Sequence, residues 1–312
     1  MDSPRNTRIQ SSVHLARCRA GVLVAALAMA WLVVGCGSSD EPAKADQRPA
    51  KASPSPAVTA PATPAAATPA PTGAPVVYLL GGSSARESIV SNASWAAQVK
   101  QLGGGSVTTK DLGASNEAYG QDILLVKAMP KGPAIVLIGL AVGRYTGPPP
   151  EGGYQEAIPD AVAAMSPGAL VNHRYKVSHI KTPAEKATMV DEWVAGHYPV
   201  FEKDYAANAA DLEALVKACK ERGFRPVLLQ LPLNLEVVGT AFDPALSTYV
   251  PAAKQLAAEN DIPWIDFVAA ARLKGGDFYD LMHLVEPGRT KWQKLLSAKT
   301  VKLLKQYGMS QD

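Results

Sequence analysis

The sequence predicts an α/β domain of the three-layer αβα sandwich kind, with a flavodoxin-like parallel sheet of about five strands. Three observations carry that expectation. Its strand-like runs are continuously apolar rather than alternating: VVYLL at 76–80, AIVLIGLAV at 134–142, PVLLQLPL at 226–233 and the shorter IPWIDF at 262–267. Such runs suit strands buried on both faces of a parallel sheet. Between them lie helical patterns at 89–102, 116–129, 193–222, 244–259 and 290–307, and strands alternating with helices imply βαβ units. No repeat period interrupts the order, and 76–312 is long enough for one sizeable core in a single domain.

Taken in chain order, the first element is not part of that domain. Residues 1–20 carry Arg5, Arg8, Arg17 and Arg19 and run into GVLVAALAMAWLVV, a basic region followed by an apolar one, as in an export signal. The apolar run is about 15 residues, short of the ~20 a membrane-crossing helix needs. It ends at Val33-Val34-Gly35-Cys36, which resembles the lipobox of bacterial lipoproteins. The expectation is a signal peptide over 1–35, lipidation at Cys36, and anchorage to the outer face of the bacterial plasma membrane, in the cell envelope. Residues 36–75, dominated by Ala, Pro, Thr and Ser, cannot bury enough apolar surface to offset ordering entropy and predict a disordered tether. In polyproline geometry, at ~3.1 Å per residue, roughly 40 residues reach on the order of 100 Å.

Composition excludes several functions. The formal charge is +3, part of it in the signal, and no clustered basic face suggests nucleic acid. Cys18 is removed with the signal, which leaves Cys219 alone in the folded region, without an internal disulfide partner and read as a small buried residue. His14 also leaves with the signal. His173, His179 and His197 show no metal-ligand spacing and read as structural or surface groups. Trp193, Trp264 and Trp292 read as core. No dinucleotide fingerprint or phosphate loop is present, because Gly103-Gly104-Gly105 lacks the lysine such a loop needs. No metal and no organic cofactor are expected.

Chemistry is suggested at the two ends of the domain. The first strand runs into Gly81-Gly82-Ser83-Ser84-Ala85-Arg86-Glu87. Two glycines permit a tight turn, and a serine at the following helix N-terminus stands where free N–H groups favour developing negative charge. Ser84 and Glu87 have capping-box spacing, which assigns Ser84 to the cap and Ser83 to the chemistry. Near the other end, Asp280-Leu281-Met282-His283 places an acid three residues before a histidine. The acid can orient the imidazole and stabilise its cation; an Asp that merely closes a turn would read the same. Residues 144–185 are irregular and read as an excursion over the carboxyl edge of the sheet, where such segments shape sites.

Together, the Gly-x-Ser turn after the first strand, the Asp-x-x-His before the last helix and the parallel-sheet pattern between them resemble the SGNH (GDSL-type) hydrolase superfamily over 76–312. The resemblance implies a serine esterase with Ser83 as nucleophile, His283 as base and Asp280 as its orienter. Gly82 stands where that family has Asp. Asp111-Leu112-Gly113-Ala114-Ser115 looks like the family's second block and nominates the Gly113 N–H for the oxyanion hole, beside that of Ser83. The third block departs: where the family has Gly-x-Asn, this chain reads Gly139-Leu140-Ala141, and Ala141 has no donor. Either Asn116 or Arg144 substitutes, or catalysis is slow or absent. The implied partners are an ester-bearing small molecule, glycan or lipid and the membrane through Cys36. The alternative is a catalytically silent SGNH-like envelope lipoprotein that binds glycan or an assembly partner. Substrate identity, hydrolysis versus transfer and oligomeric state are left open.

Overall fold

The computed structural model describes residues 73–310. The expected signal, Cys36 and nearly all of the tether lie outside the described residues. The elements run β1 (Val76–Leu80), α1 (Ser83–Arg86), α2 (Asn92–Val99), β2 (Thr108–Asp111), α3 (Tyr119–Ala128), β3 (Ala134–Leu140), α4 (Pro159–Ala164), α5 (Pro183–Glu192), α6 (Tyr198–Glu221), β4 (Arg225–Gln230), α7 (Leu235–Val238), α8 (Asp243–Glu259), β5 (Trp264–Asp266) and α9 (Glu286–Gln306).

The five strands form one sheet in the order β2-β1-β3-β4-β5, with every pairing parallel. This is the flavodoxin-like order expected. Successive side chains leave opposite faces of a strand, and the core divides accordingly. Tyr78, Leu80, Val136, Ile138 and Leu228 join one cluster, on the side where α3, α6 and α8 pack. Val77, Leu79, Ile135, Leu137, Val227 and Leu229 join the other, beneath the packed pair α2 and α9. Burial on both faces is what continuous apolar runs require, and β3 is buried at all 7 of its positions. Cys219 is buried as expected, and desolvation pushes its thiol up to about 12.

One strand is not foreseen by apolar patterning. β2 reads TTKD and pairs only with β1, at the sheet edge. Its buried residues alternate, Thr109 and Asp111 inward and Thr108 outward, so it lacks the signature of its neighbours. The order reverses between β1 and β3, and the carboxyl ends there open the crevice where doubly wound sheets place their sites.

The capping box expected at Ser84 and Glu87 does not form. Gly82 is the N-cap residue of α1, with no side-chain cap bond. Glu87 instead turns inward, wholly buried, and pairs with Arg289 and Arg86. It also accepts the Arg174 N–H at 2.9 Å and lies 3.2 Å from His173 Nδ1. These partners commit the buried carboxylate and leave it unavailable to a cap. Burial alone would raise its pKa, but the His173 hydrogen bond, the Arg174 N–H and the Arg289 charge prevail and hold it at about 2. Since Arg289 Nη2 also donates to Tyr175 O, the cluster ties α1, α9 and the 144–185 excursion together.

A depressed carboxyl pKa contributes stability above the ordinary value of 4.5 that is lost as pH falls through about 2. Glu87→Gln is therefore expected to cost about 3 kcal/mol at neutral pH. Urea titrations of parent and variant should show that difference intact at pH 6 and shrinking across the window from 4.5 to 2.

Candidate active site

The site is built on the turn after β1. Gly81 has φ 146°, and a Cβ there would come within 2.8 Å of the Ala85 Cβ, so the turn admits only glycine. It delivers Ser83 as the first residue of α1. No acceptor takes the Ser83 N–H among the described residues, as expected for the first turn of a helix. Gly82 stands where the resembled family has Asp, and a Cβ there would come no nearer than 3.8 Å to another atom, the Ala114 carbonyl oxygen. Its lack of a side chain is not forced by crowding.

At the other end, Asp280 closes a turn on itself. Its Oδ1 accepts the N–H groups of Met282 at 3.0 Å and His283 at 2.9 Å, and its Oδ2 accepts His283 Nδ1–H at 2.7 Å. The turn-closing and base-orienting readings of Asp-x-x-His are thus the same arrangement. Burial would raise the Asp280 carboxyl, but the hydrogen bonds from His283 and the two backbone N–H groups outweigh it and hold it below the usual range. With Nδ1 carrying the proton, Nε2 is a bare acceptor, and Ser83 Oγ–H donates to it at 2.7 Å across 200 positions of sequence. The structure brings all three residues nominated from the sequence into one hydrogen-bonded chain.

The oxyanion candidates fare differently. Gly113 N–H, expected to be a free donor, is donated to Asp111 Oδ1 at 2.9 Å. Burial pushes the Asp111 carboxyl up to about 7 against that N–H. Packing accounts for the glycine, since a Cβ would stand 2.7 Å from Arg86 N and 3.0 Å from the carbonyls of Gly81 and Gly82. Arg144, the other substitute expected, is not free to donate either. It is buried, with Nη1 donating to Gly139 O at 2.7 Å, Nε to Glu117 O at 3.2 Å and Nη2 to Asp122 at 2.5 Å, its guanidinium lying over the Tyr119 ring. These bonds pin the end of β3 to the β2–α3 loop. Burial, then the charge of Asp122, raises Glu117 well above its ordinary range. Asn116 remains: it is exposed, has φ 57° and lines the cavity with Ser83 and His283. Ala141 lines the same cavity, so the missing donor is missing at the site itself.

Sequence reasoning missed how the excursion serves the base. The Tyr175 ring lies 4.7 Å from the His283 ring and 4.2 Å from that of Tyr279. Lys181 N–H donates to Tyr279 O at 3.0 Å. Lys186, buried on α5, donates to Gly275 O at 2.9 Å and Phe278 O at 3.0 Å, and burial lowers its pKa. Two points of the excursion, and Lys186 just beyond it on α5, therefore hold the loop that carries Asp280 and His283. No local motif marks Tyr175; a lysine amid the apolar positions of α5 was the available signal. Trp193, read as core, is buried but also walls the cavity, as does His197, stacked on it at 5.8 Å. His173 is structural, its Nε2 bonded to Val90 O at 3.0 Å. No group of three or more metal-ligating side chains occurs among the described residues.

Fold and site together define a doubly wound α/β domain with a Ser-His-Asp chain at the carboxyl edge of its sheet. No family model matches the sequence, and no curated protein matches it. Solved structures similar to it include a candidate acylhydrolase from Bacteroides fragilis, at TM-score 0.40 and 10% identity over 74% of this chain and 91% of that one. A Bacillus subtilis protein gives TM-score 0.38 and 12% identity over 76% of this chain, which spans 58% of the other. TesA gives 0.35 and 14% identity over 74% of this chain and 98% of its own.

Proposed function

We propose that the domain is a serine ester hydrolase of the SGNH type. The observation that carries the reading is the unbroken chain Ser83 Oγ–H to His283 Nε2 to Asp280, at 2.7 Å and 2.7 Å. Nucleophile, base and orienter are then in hydrogen-bonding contact, which is the geometric requirement for this chemistry. Ser83 Oγ attacks the ester carbonyl while its proton passes to Nε2, and Asp280 stabilises the resulting imidazolium. The oxyanion is received by the Ser83 N–H, and the second donor position, at Ala141, stands empty. On collapse Nε2 returns the proton to the leaving alcohol, and water activated by His283 then releases the acid from Ser83. Tyr175, its ring tilted against the imidazole at 4.7 Å, restrains its orientation. Hydrolysis of activated short-chain esters by the purified protein, lost in Ser83→Ala, tests the proposal.

The depleted oxyanion hole favours a second reading, the silent envelope-binding domain. Ala141 offers no donor and Gly113 N–H is taken by Asp111. The two readings separate on Ala141→Asn. In a working esterase whose hole lacks one donor, that change is expected to raise kcat, with gains up to the 10²–10³-fold that one such donor is typically worth. A binding domain with an inert triad shows no response in the same ester assay.

The proposed setting is the cell envelope, with acyl or O-acetyl groups on glycans or lipids as substrates and the domain held by a lipid on Cys36 through the 36–75 tether. The support is the sequence: a basic then apolar start, Val33-Val34-Gly35-Cys36, and the Pro-rich stretch after it. Mass spectrometry of the membrane fraction is expected to find diacylated or triacylated Cys36 as the first residue. An intact Met1 terminus, or a soluble product cut beyond Cys36, would contradict it.

A further inference from the structure

The cavity that holds Ser83 and His283 has a volume of about 460 Å³, far more than an acetyl group occupies. Its polarity is graded. The floor is formed by Ala141, Trp193, Leu231, Phe242 and Leu281, all buried. Met189 and Met282 are half-buried on its walls, while Asn116, Glu192 and His197 are exposed at its mouth. Of the buried polar side chains on its lining, Arg144 is engaged by Asp122 and two carbonyls, Asp280 by His283 and two backbone N–H groups, and Glu117 Oε2 by the Ala114 N–H at 3.1 Å, while Glu117 Oε1 and Trp193 Nε1 have no partner among the described residues. A sugar seated on this floor would find at most those two atoms for its several hydroxyls and would leave the rest without partners, a costly arrangement. An alkyl chain would have no such cost.

We propose that this cavity is an acyl-chain site and that the protein prefers esters of medium-chain acids, about six to ten carbons, to acetyl esters. A methylene takes up about the volume of a liquid water, roughly 30 Å³, so about eight of them fill half of the space. The acyl half is assigned to the floor because it stays on Ser83 through both chemical steps, whereas the alcohol must leave through the polar mouth. An interaction with the half that persists assists acylation and deacylation alike. This inference rests on the esterase reading above.

The test is kcat/KM for p-nitrophenyl esters from acetate to palmitate and for an alkyl acetate series of matching lengths, with the full protein and with Met189→Trp. At roughly fourfold per buried methylene, the six methylenes that octanoate adds to acetate set a ceiling of about 4,000-fold, and octanoate is expected to exceed acetate by at least about 100-fold. Filling the half-buried Met189 position should cut the octanoate-to-acetate ratio at least tenfold. A parent profile in which acetate is best, or in which rate follows only the alcohol length, overturns the acyl-chain assignment and leaves the esterase reading standing. An octanoate-to-acetate ratio indifferent to Met189→Trp also overturns it. Absence of any Ser83-dependent hydrolysis overturns both.

Discussion

Ser83→Ala is expected to reduce ester turnover by about 10⁴-fold or more while leaving the melting temperature unchanged. The size follows from how such a triad works: nucleophile and base act as one unit, so removing the nucleophile removes the covalent route entirely, and only residual binding and electrostatic effects persist. The unchanged stability follows from the structure. Ser83 is half-buried, and its hydroxyl bonds only to His283 Nε2 among the described residues; no packing or capping depends on it, since α1 takes no side-chain cap. Steady-state kinetics with thermal unfolding on one preparation check both halves. A variant as active as the parent would mean that the observed hydrolysis arises elsewhere, and the silent-domain reading would replace the esterase.

Asp280→Asn is expected to cost about 10³–10⁴-fold in kcat, for a reason specific to this turn. Asp280 Oδ1 accepts two backbone N–H groups, from Met282 and His283. An amide has only one oxygen, and those two donors claim it, so the amide NH₂ is left facing His283 Nδ1. Nδ1 must then accept, and the proton moves to Nε2, where it blocks acceptance from Ser83. The turn survives and the base is lost. A kcat loss with circular dichroism unchanged supports this. A loss smaller than tenfold would mean that the tautomer is fixed by something other than Asp280.

The legible parts of the fold were those where burial dictates composition. β1, β3 and β4 are continuously apolar because both of their faces are covered, and their spacing with the helices implied the parallel sheet. β2 escaped because an edge strand with one covered neighbour can alternate polar residues. In the site, Ser83, Asp280 and His283 were legible because a glycine turn and a short Asp-to-His spacing are local patterns. What surrounds them was not. Glu87 has the spacing of a cap, yet the structure commits it to Arg289, which lies 202 positions away. Arg144 is near the right place for an oxyanion donor and is taken by the buried Asp122. Tyr175 meets His283 only because a long excursion folds back across the carboxyl edge. Each of these depends on contacts between distant segments, which spacing does not encode.

The central claim is that Ser83 is a nucleophile activated by His283. The measurement that tests it most directly is mass spectrometry of the protein after exposure to a fluorophosphonate, a reagent that phosphonylates activated serines. The account predicts stoichiometric modification at Ser83, and none at that residue in His283→Ala. No labelling of the folded parent protein, or labelling at a different serine, would contradict it.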